Sequence, residues 1–183
     1  MFKPSVVPRG ILAVALLGSL GVAACRESGG EGEYFRIDGK IFVFNYRVAT
    51  ATYLVNLAPL RPVEAGQTAV VSFEDPAGGE PLVVRQKIWP KMPRTTIESP
   101  PLRCVVKGRP YAISIRIEGS DGAVRQTIET TLASVDDQSI LPDRPLVVGP
   151  LYTPNPELAG HPDGKLPDAG APPCPAAPPA ASG

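Results

Sequence analysis

The strongest constraint on the fold is a pair of alternating segments on either side of a Ser-Asp-Gly turn. In YAISIRIEG, Tyr111–Gly119, every second side chain is large and apolar. The segment AVRQTIETTL, 123–132, then returns with an apolar side made of Val124, Ile128 and Leu132. An apolar period of two on both sides of an Asp-Gly pair predicts an antiparallel β-hairpin.

Similar strand signals recur elsewhere in the chain. They lie at 40–48, 50–60, Thr68–Phe73 and Leu82–Trp89, with shorter candidate edge strands at 95–99 and 145–149. No segment between them keeps an apolar stripe with a period of 3.6 residues, and turn residues recur at short intervals. We therefore predict an all-β fold, a single antiparallel immunoglobulin-like β-sandwich, with a small β-barrel as the alternative.

The alternation also predicts which side chains form the core. On each strand the apolar positions of one parity face the opposite sheet. The expected core residues are Val70, Phe73, Val83, Ile113, Ile115, Ile117 and Ile128.

Proline marks the C-terminal boundary of the domain. Of 23 prolines, 12 fall between Pro142 and the C-terminus, and the final stretch PDAGAPPCPAAPPAASG is nearly all Pro, Ala and Gly. This composition is typical of extended chain without a core of its own. We predict a folded domain at 34–152 and a disordered Pro/Ala-rich tail at 153–183.

The N-terminus has the pattern of an export signal. Lys3 and Arg9 precede an apolar run that begins at Gly10 and ends, after small residues, at Cys25. The run is shorter than the ~20 apolar residues of a comfortable membrane span. We predict a signal peptide at 1–24. The alternative is an ordinary secretory signal cut after Ala24, in which the cysteine has no role.

The end of this signal resembles the bacterial lipobox. The match is Val22-Ala23-Ala24-Cys25, and it covers only residues 1–25. The resemblance implies a lipoprotein whose Cys25 thiol is diacylated, palmitate included, after cleavage before that residue, with the new amino group usually acylated too. Arg26 in place of aspartate implies sorting to the periplasmic face of the outer membrane. The polar RESGGEGE then predicts a flexible leash at 25–33.

The mature chain is similar in layout to many small exported lipoproteins of Gram-negative bacteria, and faintly to the pilotin-like lipoproteins. The latter are β-sandwiches that assist outer-membrane assembly. Only the order of lipidated cysteine, polar leash and short strands matches, so no site residue is carried over. The resemblance implies an assembly role at the cell envelope.

The charge balance of the domain argues against a nucleic-acid-binding protein. Residues 34–150 carry 14 Lys and Arg against 12 Asp and Glu, without the basic excess of that class.

The cysteine content allows one disulfide. With Cys25 acylated, Cys104 and Cys174 remain in a compartment that permits disulfides. A bridge between them would pin the tail to the domain. The alternative is a buried Cys104 and an idle Cys174.

Groups suited to catalysis are few. The single histidine, His161, lies in the tail without partners at metal-ligand spacing. Asp136, Asp137 and Asp143 form the only local carboxylate cluster, and in SVDDQS they are typical of turn caps. We expect no enzyme, no catalytic residue, no metal and no cofactor. The alternative is a periplasmic hydrolase that uses these carboxylates.

One charged segment stands out. Between 85 and 109 a single acid, Glu98, accompanies seven basic residues: Arg85, Lys87, Lys91, Arg94, Arg103, Lys107 and Arg109. The only tryptophan, Trp89, lies within this segment. The candidate contact residues for an anionic envelope partner are Arg85, Lys87, Trp89, Lys91 and Arg94.

The opposing interpretation of this segment is a solvated flank with Trp89 in the core. The sequence favours a non-catalytic binding or assembly role for a membrane-anchored protein of the bacterial envelope. A structural spacer that uses the proline-rich tail for its reach is a further alternative.

Overall fold

The computed structural model describes residues 32–167, 170, 174 and 175. The predicted signal peptide, Cys25 and the leash up to residue 31 lie outside the described residues, as do 168–169, 171–173 and 176–183 of the predicted tail. The described residues form β1 (Phe35–Asn45), β2 (Thr50–Pro59), β3 (Thr68–Phe73), β4 (Leu82–Lys87), β5 (Thr95–Glu98), β6 (Pro110–Glu118), β7 (Val124–Ala133), β8 (Val147–Val148), β9 (Thr153–Pro154), and single 3-10 turns at Gln138–Ile140 and Pro156–Leu158.

Seven of these strands form two antiparallel sheets. One sheet has the order β1-β2-β5, and the other has the order β4-β3-β6-β7. Neither sheet closes on itself, so the fold is a sandwich rather than a barrel, and the predicted all-β antiparallel class is confirmed. This strand order is that of an immunoglobulin-like sandwich with a fourth strand on the larger sheet.

The core lies between the two inner faces. On β6 the side chains alternate strictly, and Tyr111, Ile113, Ile115 and Ile117 are fully buried while their neighbours are not. Inward residues of β2 face them from the opposite sheet, and inward residues of the neighbouring β3 lie beside them on the same inner face. Phe73 is likewise fully buried. Ile128, also predicted in the core, is partly buried and packs against the core cluster.

The prediction for Val83 was wrong. Its side chain is 59% exposed, because on β4 the inward positions belong to its neighbours Leu82 and Val84. Val70 is buried, but it lies opposite Arg85 and Arg116 in the register and outside the core cluster. Both valines belong to the outer face of the larger sheet. A one-residue error in parity moves a side chain from one face of a sheet to the other.

Tyr111 holds the β5–β6 connection against the start of β6. The backbone N–H of Val106 donates a 2.8 Å hydrogen bond to the Tyr111 hydroxyl. A tyrosine at the start of this strand, bonded to the backbone a few residues upstream, is a recurrent corner of immunoglobulin-like sandwiches. The Tyr111 ring also lies edge-on to Tyr53 in the core, with 6.2 Å between ring centroids.

The antiparallel strands give the sandwich two ends. The N-terminal end comprises Tyr34 and the connections 60–67, 88–94 and 119–123. Its segments are joined by backbone hydrogen bonds from Leu60 N–H to the Tyr34 carbonyl and from Ile88 N–H to the Gln67 carbonyl. The opposite end comprises 46–49, 74–81, 99–109 and 134–167.

The folded body continues past the predicted boundary at Tyr152. The buried Asn155 donates from its side-chain amide to the Pro145 carbonyl at 2.8 Å. Further along, the Asp143 N–H donates to the Gly164 carbonyl at 2.8 Å. These contacts pack 153–167 against 139–146, so this part of the predicted disordered tail is folded chain at the opposite end.

Candidate functional site

The seven cations that are close in sequence are divided in space. Lys87, Lys91 and Arg94 lie at the N-terminal end, on or beside the β4–β5 connection. Arg103, Lys107 and Arg109 lie at the opposite end, in the β5–β6 connection. The division arises because β5 carries the chain from one end of the sandwich to the other between the two groups. The predicted flank is therefore two separate groups of charges.

At the N-terminal end, Trp89 is exposed rather than part of the core. More than half of its surface, 55%, is open to solvent. The Lys87 ammonium lies over the indole ring, with Nζ 4.2 Å from the ring centroid. This cation–π contact holds a positive charge and an amphipathic ring together at the surface. The interpretation that placed Trp89 in the core was wrong.

Lys91 is displayed by a tight turn. The Met92 N–H donates to the Trp89 carbonyl, closing a turn with Pro90 in its second position. Lys91 occupies the third position with φ +68°, where glycine or asparagine is usual in such turns. A lysine in this left-handed conformation carries backbone strain. The turn therefore places the exposed Lys91 side chain on the same connection as Trp89.

The two arginines of the predicted contact set are already paired. Arg85 Nη2 lies 2.6 Å from the Glu118 carboxylate on the outer face of the larger sheet. Arg94 forms an ion pair with Asp38 of β1, and Arg36 binds the same carboxylate at 3.0 Å. In contrast, neither lysine has a carboxylate within ion-pair distance among residues 32–167.

The sequence did not reveal the neighbours of this group. Leu60 and Met92 are each about half exposed at the same end, and the Arg61 guanidinium stacks over the Tyr34 ring at 5.2 Å. These residues come from three separate segments, so no local pattern connects them. We define the basic aromatic end by Tyr34, Leu60, Arg61, Lys87, Trp89, Lys91 and Met92.

The opposite end contains a disulfide and a cavity. Cys104 and Cys174 are joined, with 5.4 Å between their Cα atoms. The bridge borders a cavity of about 660 Å³. Asp137, Asp143 and Lys165 are among the residues that line this cavity. The bridge therefore ties one point of the tail to the β5–β6 connection.

The carboxylates around this cavity fix backbone geometry. Asp137 accepts a 3.0 Å hydrogen bond from the Ser139 N–H, and that bond holds the pKa of its carboxyl below the ordinary value. Asp143 accepts from the Leu166 N–H at 2.9 Å and lies 3.5 Å from the Lys165 ammonium. Asp136 is exposed. A turn cap held in its ionised form is a poor general acid, and Asp143 is engaged by the backbone, so the geometry does not favour the hydrolase alternative.

The described part of the chain offers no metal site. His161 lies in a turn, where its carbonyl accepts from the Gly164 N–H at 2.9 Å. Among residues 32–167 and the three described tail residues, no three His, Cys, Asp or Glu side chains are grouped to hold a metal ion. Over the same residues, no helix has the length and apolar character to cross a membrane.

Comparison with known proteins adds no relative. No protein-family model matches this chain, and no curated protein matches its sequence.

Proposed function

We propose that this protein is a membrane-anchored lipoprotein with a non-catalytic binding or assembly role in the bacterial cell envelope. The observation that carries the proposal is the pair of lysines beside an exposed tryptophan at the basic aromatic end. Lys87 contacts the Trp89 ring, and neither Lys87 nor Lys91 has a carboxylate partner in the described chain.

Unpaired cations beside an aromatic side chain suit a contact with an anionic partner. Several surface arginines have carboxylate partners, as Arg85 has in Glu118 and Arg125 has in Asp121 at 2.8 Å. Tryptophan is enriched in binding contacts because it buries a large area while its N–H stays available. Binding through these residues should weaken as salt rises.

The anchor is tested first. Cells that express the full chain are grown with labelled palmitate, and the wild type is compared with Cys25→Ala. The label should enter only the wild-type protein, which should fractionate with membranes. Equal labelling of both proteins would contradict lipidation at Cys25 and remove the anchor from the proposal.

Binding is tested by affinity purification of the lipidated protein from membranes at low salt. The variant Lys87→Ser/Lys91→Ser removes two unpaired charges, whereas changing Arg85 or Arg94 would also disrupt ion pairs of the fold. Arg47→Ser/Lys107→Ser is the matched control, because it removes two exposed charges from the opposite end. Envelope components should be lost with the first variant and retained with the second. Identical recovery with both variants would exclude the basic aromatic end as the contact site.

A further inference from the structure

We infer that the partner of the basic aromatic end is the anionic bilayer surface that holds the Cys25 lipid. The domain would stand on the membrane with Lys87 and Lys91 against lipid headgroup phosphates and Trp89 at the interface. This inference rests on the proposed function, because it requires the anchor at Cys25.

Chain length restricts which end of the domain reaches the membrane. Nine residue steps separate Cys25 from Tyr34, which span at most roughly 30 Å when fully extended. The opposite end lies a full β1 strand of 11 residues further away, about 35 Å at the usual rise per residue. The leash is shorter than the sandwich and cannot turn it over, so the N-terminal end is the end tethered nearest to the bilayer.

The side chains at this end fit a bilayer surface. Tryptophan and tyrosine prefer the boundary between headgroups and hydrocarbon, and lysine keeps its charge at the phosphates while its stem lies along apolar surface. Trp89 and Met92 are exposed on the same connection, and Leu60 and Tyr34, which are hydrogen-bonded to each other, lie at the same end. Anionic lipids attract nearby lysines. Because no carboxylate of the described chain pairs with Lys87 or Lys91, their ammonium groups can bind the phosphates of lipid headgroups.

The opposite end also exposes apolar side chains. Leu151 and Tyr152 protrude there, and Arg47 lies over the Tyr152 ring at 5.1 Å. These residues are directed away from the membrane if the N-terminal end rests on it.

Trp89, the single tryptophan, is a built-in probe for the test. The mature lipidated protein is reconstituted into phosphatidylcholine vesicles with and without phosphatidylglycerol. With phosphatidylglycerol at low salt, the Trp89 emission should shift to the blue and be quenched by lipids brominated in their acyl chains. Phosphatidylcholine alone, or salt at about 0.5 M, should give the emission of a solvent-exposed indole.

Variants separate the charge effect from a change in folding. Lys87→Ser/Lys91→Ser should weaken docking about 30-fold, from the attraction expected of two lysines near an anionic surface. Arg47→Ser/Lys107→Ser should dock like the wild type, and circular dichroism checks that both variants are folded. The single change Lys91→Gly, which suits the turn, provides a second reading of the charge effect.

The outcomes discriminate between the two proposals. Emission that is the same in both kinds of vesicle, or unaffected by the lysine variant, overturns the bilayer inference. If low-salt capture of envelope proteins still depends on the lysines, the proposed binding function stands with a protein partner. If palmitate labelling does not depend on Cys25, the anchor fails and the bilayer inference falls with it.

Discussion

The two ends of the sandwich use their charged side chains in different ways. At the opposite end, Glu74 accepts from the Arg109 guanidinium at 2.7 Å and from the Ala112 N–H at 2.8 Å. At the N-terminal end, Lys87 and Lys91 have no carboxylate partner among the described residues, and one of them lies against an exposed tryptophan. The Arg109–Glu74 pair holds the chain in place at the opposite end, whereas we expect these two lysines to contribute little to the fold.

Covalent and buried contacts follow the same division. The disulfide, the buried Asn155 and the Lys165 ammonium, which donates to the Ser139 carbonyl at 2.8 Å, all secure the opposite end. The β4–β5 connection is a short turn whose exposed side chains are attached to a strained backbone at Lys91. Left-handed backbone also occurs at the opposite end, where Ala49, Cys104 and Tyr152 have positive φ, so strain alone does not distinguish the two ends. The comparison teaches that the contacts securing the chain at the opposite end are separate from the residues of the proposed binding surface.

The largest expected effect is the loss of the disulfide. Cys104→Ser/Cys174→Ser opens a loop with a sequence separation of 70 residues, which should cost about 4 kcal/mol in the chain-entropy model. Thermal unfolding followed by circular dichroism measures the loss. Docking of the folded variant on anionic vesicles should be unchanged, because the bridge lies at the opposite end. Equal thermal stability with and without the bridge would contradict its structural role.

The next largest expected effect is a difference in unfolding free energy between variants that remove charges at the two ends. Glu74→Ala leaves the Arg109 guanidinium and the Ala112 N–H without their acceptor, and it should cost about 2 kcal/mol of unfolding free energy. Lys87→Ser/Lys91→Ser should change that free energy by less than about 0.5 kcal/mol, as for exposed residues without partners.

Thermal unfolding of the two variants side by side provides the measurement. A lysine variant as unstable as Glu74→Ala would mean that the lysines serve the fold after all, and the division between the ends would fail.

Much of the fold was predictable because it depends on local alternation. The segment around Ile115 fixes its own face, and the Asp-Gly pair fixes the turn between β6 and β7. Val83 was misassigned because on this edge strand both parities carry apolar residues, and only pairing with Ser72 decides the face. Such a choice depends on the neighbouring strand.

The candidate site was predictable only in part, for a topological reason. The cations from Arg85 to Arg109 look like one group in the sequence, but β5 separates them in space. Which of them are paired depends on Asp38, Glu74 and Glu118, residues distant in the chain. Composition also misled at the C-terminal side, since proline-rich chain without a core of its own packs against 139–146.

A smaller effect separates strain from charge at the N-terminal end. Lys91→Gly removes the side chain from a position at φ +68° and should raise the unfolding free energy by about 0.5–1 kcal/mol. Lys91→Ser removes the same charge without relieving the backbone, so it should be less stable than Lys91→Gly. Both variants should weaken vesicle docking equally, by about 5-fold for one lysine. Thermal unfolding and Trp89 emission measure the two properties, and unequal docking would show that turn geometry rather than charge controls the contact.

The smallest effect is a pH dependence at the opposite end. The Ser139 N–H lowers the pKa of the Asp137 carboxyl from its ordinary 3.8, so the folded state favours the ionised form. The contribution of the Asp137 carboxylate to the free energy of unfolding is therefore complete above pH 3.8. It is lost as the pH falls through the lower pKa of the folded state. Asp137→Ala should cost at most about 1 kcal/mol at pH 7, the usual range for a turn cap, and the difference from wild type should shrink in acid.

Asp137→Asn is the control for this pH effect, because it keeps an oxygen acceptor for the Ser139 N–H but does not titrate. Its stability relative to Asp137→Ala should not change between pH 7 and pH 2. Docking through the lysines at the other end should be the same in all three proteins at pH 7, since the cap touches none of them. A docking change in Asp137→Ala at constant vesicle composition would reveal coupling between the two ends. A local loss of structure around residue 137 would then alter the proposed membrane contact at the N-terminal end.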